Sequence, residues 1–130
     1  MKKIVFTGGT GRFASEFKKI KSKFKIYFPN KKELNIENLN SIEVFLKRIK
    51  PRYFIHCAAL SRPMDIHEKN ISQSITTNII GTSNVVKACE KQNIKLIYFS
   101  TNYIYPGTAG DYRESDPILP INNYAISKLG

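Results

Sequence analysis

Apolar positions along this chain alternate between short unbroken runs and helical stripes. Lys3-Ile4-Val5-Phe6 is a brief run that ends in a glycine loop, and it reads as a buried strand. From Gly11 to about Lys21 the period changes, with Phe13, Phe17 and Ile20 on one helical face. Lys25-Ile-Tyr-Phe28 is a second strand, stopped by Pro29-Asn30. Residues 38–50 place Leu39, Ile42, Phe45, Leu46 and Ile49 at helical spacing, and Pro51 closes that helix. Tyr53-Phe-Ile-His56 is a third strand. A long helix over residues 69–92 is expected to turn Ile71, Ile75, Ile79 and Val86 inward. Residues 94–100 form a fourth strand, residues 112–123 a loop with Pro117 and Pro120, and another helix begins at Tyr124.

Strands alternating with helices build βαβ units around a parallel sheet. The expected fold is α/β: a Rossmann-like three-layer domain with about four or five parallel strands, incomplete at the C-terminus. No repeat, low-complexity tract or linker divides residues 1–130, so they read as a single domain.

Composition removes several classes. Hydrophobic residues make up 42% of the 130, too many for a disordered chain. No apolar run is long enough to cross a membrane, and the N-terminal run is too short for a signal peptide, so the expected location is cytoplasmic. Cys57 and Cys89 belong to no CxxC pair and give neither a disulfide framework nor a zinc site; both are expected in the core. The formal charge is +11, and the first 50 residues hold 13 Lys and Arg against 4 acids. No nucleic-acid-binding motif accompanies that basic half, which suits phosphate-bearing ligands instead.

The candidate chemistry begins at Thr7-Gly8-Gly9-Thr10-Gly11-Arg12-Phe13-Ala14, a GxxGxxA frame between a strand and a helix. Gly8 permits a tight turn, Gly11 lets backbone approach a pyrophosphate, and Ala14 allows close helix–strand packing. The helix start offers free N–H groups to phosphate. Gly8, Thr10, Gly11, Arg12 and Phe13 are therefore cofactor-binding candidates. The second strand lacks the acidic residue that holds a ribose in NAD-binding domains; Lys31 and Lys32 follow instead. With Arg12 these cations lean toward a 2′-phosphate, so the cofactor expected is NADP or NAD, with a lean to NADP.

Thr101 follows the fourth strand, and Tyr124 and Lys128 sit one helical turn apart as YxxxK. A tyrosine hydroxyl in water titrates near ~10, and a neighbouring ammonium favours its anion. The tyrosine then gives a proton to a carbonyl oxygen as hydride reaches the carbon, while the threonine holds that oxygen. Of the remaining polar residues, His56 reads as structural and His67 as exposed; Asp111, Glu114 and Asp116 read as solvated loop charges.

With these pieces in place the chain resembles the extended short-chain dehydrogenase/reductase family over essentially its whole length. The carriers are the glycine loop, His56-Cys57-Ala58-Ala59, Asn78-x-x-Gly81-Thr82, Thr101, Tyr124 and Lys128. The resemblance is nearest to the sugar-nucleotide-binding branch that includes the dTDP-4-dehydrorhamnose reductases, carried by Phe99–Gly107, Tyr112–Pro117 and Pro120–Tyr124. It implies that Ala58 and Ala59 pass beside the cofactor ribose and pyrophosphate. It places Asn35 and Ile36 near the adenine, with Asn35 standing where the family has Asp. Asn102 and Pro106 also stand where those reductases have Asp. The activity implied is NAD(P)-dependent reduction of a nucleotide-linked 4-keto-deoxysugar, with Thr101, Tyr124 and Lys128 catalytic and Tyr124 and Lys128 also meeting the nicotinamide ribose. An epimerase or dehydratase using the same residues is the alternative, as is a cofactor-binding module without catalysis. No metal is implied. A homodimer is left open for the full-length enzyme, and the chain is expected to be the N-terminal portion of a longer one.

Overall fold

The computed structural model describes all of residues 1–130. Four strands, β1 (Lys3–Thr7), β2 (Lys25–Tyr27), β3 (Tyr53–His56) and β4 (Lys95–Tyr98), pair in parallel in the order β2-β1-β3-β4. Ile4 lies opposite Ile26, Val5 opposite Phe54, and Phe54 opposite Leu96. Successive side chains leave a strand on opposite faces. Val5 and Phe54 therefore point into one core with Ile42, Leu46, Val85 and Ala88, while Ile4, Phe6 and Ile55 pack on the other side with Ala14. Helices α2 (Leu39–Ile49) and α5 (Gly81–Lys91) cover the first face, and α1 (Arg12–Phe17) covers the second. The sheet is thus buried on both sides, as parallel sheets require. This is the three-layer α/β arrangement expected.

The ends of α2 follow the sequence closely. The Asn38 side chain accepts from Ser41 N–H, and Lys50 closes the helix in the left-handed region ahead of Pro51. Helix α1, in contrast, ends at Phe17 rather than Lys21. Its last N–H groups fall back to three-residue spacing, from Lys19 to Glu16 and from Ile20 to Phe17. Ile20 is left exposed, because the chain must return to the sheet by Lys25.

The long helix expected over residues 69–92 is divided. Short turns α3 (Ile66–Lys69) and α4 (Ile71–Ser74) flank Asn70, whose side chain caps α4. A π-helical segment, Ile75–Ile80, then leads into α5. Every residue of that segment except Asn78 is β-branched, and crowding of such side chains against the preceding turn disfavours tight α spacing. The inward set also differs from the expectation. Ile71, Ile75 and Val86 are exposed and Ile79 is only half-buried; Ser74, Asn78, Gly81, Val85, Ala88 and Cys89 are buried. Close approach explains the choice, since a Cβ on Gly81 would come within 2.9 Å of the Ile36 side chain. After β4 the chain makes a 3₁₀ turn (Asn102–Ile104), crosses an irregular segment and ends in α6 (Asn123–Leu129). No helix is long and apolar enough to cross a membrane.

Candidate functional site

From β1 the chain runs to β2 on one side of it, then returns to β3 on the other. The carboxyl ends of β1 and β3 are therefore where the strand order reverses, and open α/β sheets bind ligands at such a point. A cavity of about 340 Å³ opens there. Of the expected cofactor-binding residues, Gly8, Thr10, Gly11, Lys31, Asn35, Ile36, Ala58 and Ala59 line it.

The glycine loop fits this place for steric reasons. Gly8 has φ +81°, and a Cβ on it would lie 2.9 Å from the Cys57 carbonyl carbon and 3.0 Å from Ala58 N. The loops after β1 and β3 thus meet backbone to backbone. The Gly11 N–H closes the turn on the Gly8 carbonyl at 2.9 Å. Lys18 braces the turn, its Nζ donating to the Gly9 carbonyl at 2.7 Å. Sequence reading passed over Lys18, although it lies two helical turns past Gly11, near enough to fold back.

The side chains of Arg12 and Phe13, at the start of α1 beside Gly11, are not among those that line the cavity. Phe13 turns toward the second core face, with its ring 5.9 Å from that of Phe6 and 4.9 Å from that of Phe99. Apolar packing takes this side chain away from the polar cavity.

Beside the turn after β2, Lys31 Nζ pairs with Glu37 Oε1 at 3.2 Å, and Thr77 Oγ1 donates to the same oxygen at 2.8 Å. The Thr77 hydrogen bond holds the Glu37 carboxyl below the usual range against the opposing effect of burial, and Lys31 adds a hydrogen bond and its charge in the same direction as Thr77. Glu37 N–H bonds the Asn35 side chain at 3.1 Å, so Asn35 shapes this corner whatever else it meets. Glu37 was missed in the sequence because it lies ten residues beyond β2, where no spacing rule places a ligand.

The expected catalytic residues gather around α6. Asn122 caps this helix by accepting from Ala125 N–H at 2.7 Å. Lys128 is buried; its Nζ donates to the Phe99 carbonyl at 2.9 Å and lies 4.4 Å from the Tyr98 ring centroid. Burial pulls the Lys128 ammonium down to about 8. Its charge is felt at Cys57, whose thiol burial pushes up to about 11, and at His56, which burial pushes down to about 4. Phe99, whose carbonyl holds Lys128, bonds its N–H to the His56 carbonyl at 3.1 Å, which sets Lys128 where β3 ends, beside Cys57 of the cavity lining. Thr101 caps the 3₁₀ turn through Tyr103 N–H at 3.3 Å, and the Tyr103 ring meets the Tyr124 ring edge-on at 5.9 Å.

Three polar residues join these parts. His56, fully buried, bonds Thr7 Oγ1 through Nδ1 at 2.8 Å and Thr82 Oγ1 through Nε2 at 3.1 Å, a structural role as expected. Asn78 accepts from Leu60 N–H at 2.7 Å and donates to the Leu60 carbonyl at 2.8 Å and to Ser127 Oγ at 2.9 Å. Ser127 in turn donates to the Tyr124 carbonyl at 2.8 Å.

A second cavity, of about 280 Å³, is bounded by Met64, Asp65, His67, Glu68, Asn122 and Tyr124. His67 was expected at the surface and is 1% exposed. Its position near a helix start hid the reason: Ser74 Oγ meets Nδ1 at 2.7 Å, and Asn123 donates to the His67 carbonyl and to Glu68. Its Nε2 has no partner, and burial lowers its affinity for a proton while Glu68 opposes that effect.

The family model for the RmlD substrate binding domain matches residues 1–130. The chain belongs to this family. Among curated relatives, methionine adenosyltransferase 2 subunit beta of Xenopus tropicalis is 33% identical over 101 residues, covering 78% of this chain and 30% of that protein. The dTDP-4-dehydrorhamnose reductase of Aggregatibacter actinomycetemcomitans is 26% identical over 132 residues, covering 98% of this chain and 45% of that protein. A crystal structure of dTDP-4-dehydrorhamnose reductase from Bacillus anthracis in complex with NADP superposes with a TM-score of 0.93 at 32% identity, over 99% of this chain and 47% of that one. The chain thus spans less than half the length of these three relatives.

Proposed function

We propose that residues 1–130 form one NAD(P)-binding domain and contribute to a reductase acting on a nucleotide-linked 4-keto-deoxysugar. The observation that carries this reading is the cavity at the β1–β3 switch point, with the glycine turn on one side and, where β3 ends, buried Lys128 held by the Phe99 carbonyl. The turn meets the steric demand of a pyrophosphate site: Gly8 has no room for a Cβ, and no side chain caps the start of α1. A dinucleotide fits these residues, and NADP is favoured by the B. anthracis relative, which holds NADP at 32% identity.

When bound, the reduced dinucleotide supplies the hydride. Tyr124 gives its hydroxyl proton to the substrate carbonyl oxygen, and Thr101 donates a hydrogen bond to that oxygen. The Lys128 ammonium, fixed by the Phe99 carbonyl, stabilises the anion left on Tyr124. Free, weakly acidic Cys57 and Cys89 suit a reducing cytoplasm.

A second reading is a binding subunit without turnover, favoured by the 33% identity to a protein described as a subunit of methionine adenosyltransferase 2. Titration with NADPH and NADH, followed by cofactor fluorescence, tests the shared part. Binding that Gly11→Asp abolishes is expected, and no binding by the native protein would overturn both readings. Oxidation of NADPH by dTDP-4-dehydrorhamnose, lost in Tyr124→Phe, is expected for the reductase. Tight binding with no oxidation leaves the subunit reading.

A further inference from the structure

Lys31 and Glu37 line the same end of the switch-point cavity and hold each other. Their freedom is unequal. The Glu37 side chain is 25% exposed and fixed by Thr77 Oγ1, with its own backbone N–H tied to Asn35. The Lys31 side chain is 71% exposed, and its pair with Glu37 is its one hydrogen bond. The carboxylate is therefore the fixed partner and the ammonium the mobile one.

A phosphate on the adenosine ribose is attracted by the ammonium and repelled by the carboxylate. A ribose hydroxyl, in contrast, donates readily to the carboxylate oxygen that neither Lys31 nor Thr77 uses. We infer that Glu37 is a specificity-determining residue that holds Lys31 and opposes a ribose phosphate, restraining the NADP preference that Lys31 provides. This rests on the dinucleotide reading above. NADPH then binds at the expense of the Lys31–Glu37 pair, whereas NADH leaves it intact. The pair is partly exposed, so the restraint is modest and screened by salt.

The test compares NADPH and NADH affinities by fluorescence titration in the native protein, Glu37→Gln and Lys31→Ala. The ratio of the two affinities is the readout, because a misfolded fraction changes both equally. Glu37→Gln keeps an acceptor for Thr77 and is expected to shift the ratio about fivefold toward NADPH. Lys31→Ala is expected to shift it toward NADH by a similar factor, and added salt is expected to weaken NADPH more than NADH. A ratio unchanged in Glu37→Gln, or moved toward NADH, overturns the role of Glu37 while the cofactor reading stands. Failure of the native protein to bind either dinucleotide removes that reading and this inference together.

Discussion

The Tyr124 ring lies 5.0 Å from the imidazole of His67, tilted 51° to it. Ser74 fixes that imidazole through Nδ1, so the tilted contact joins residues anchored in different elements, one in α3 and one in α6. His67→Ala is expected to lose about 1–3 kcal/mol of stability, from the lost ring and the orphaned Ser74 hydroxyl. It is also expected to free the Tyr124 ring. Urea denaturation reads the first effect and Tyr124 ring NMR line widths the second; an unchanged Tyr124 spectrum would show that the ring contact does not orient it.

Asn78 supplies three hydrogen bonds across two elements, and no smaller side chain replaces them. Asn78→Ala is expected to cost about 2–4 kcal/mol, since it strands Leu60 N–H and the Leu60 carbonyl and removes the bond to Ser127. Hydrogen exchange should speed up at residues 58–60 and in α6 together. Faster exchange in only one of them would mean that Asn78 does not join them.

Acid should weaken the protein through His56. Burial keeps its folded value at about 4, against an ordinary 6.5, so the unfolded chain takes up a proton that the folded one refuses. Stability is then complete above pH 6.5 and falls as the pH drops toward 4, by up to about 3 kcal/mol from this group. His67 acts in the same direction. Urea midpoints at pH 7 and pH 5 measure the slope, and His56→Asn should reduce it.

Lys128 should titrate apart from the other lysines. Burial lowers it to about 8 from the ordinary 10.5, so above pH 8 the folded protein sheds a proton that the unfolded chain retains. This group therefore adds stability as the pH rises from about 8 to 10.5, while the ammonium assigned to support Tyr124 disappears. Lysine side-chain NMR resolves the step: one resonance should move near pH 8. If every lysine moves together near the ordinary value, the ammonium is better solvated than its burial indicates.

Much of the scaffold was legible because burial on both sheet faces demands continuous apolar strands. Ile4-Val5-Phe6 and Phe54-Ile55 show that demand openly, and α2 carries its cap and stop in Asn38 and Lys50-Pro51. The turn at Gly8 was equally open, since only glycine takes that φ against another backbone. Periodicity misled where the inner face of a helix is small or polar. Ser74, Asn78 and Gly81 face inward, so following Ile71, Ile75 and Val86 selected the solvent side. Glu37 and His67 escaped notice for a related reason. Each is placed by partners far along the chain or by a capped turn, Thr77 for one and Ser74 and Asn123 for the other.

The bonds of Asn78 also bear on which substitutions this protein can accept. The loop holding Ala58 and Ala59 and the helix holding Tyr124 share one amide side chain, so neither drifts alone. A substitution at Ser127 removes one of the three bonds of the amide, and a shortened loop near Leu60 removes the other two. The loop that lines the switch-point cavity and the helix that carries Tyr124 are therefore expected to vary as a single block, with residues 78 and 127 exchanging identity in pairs.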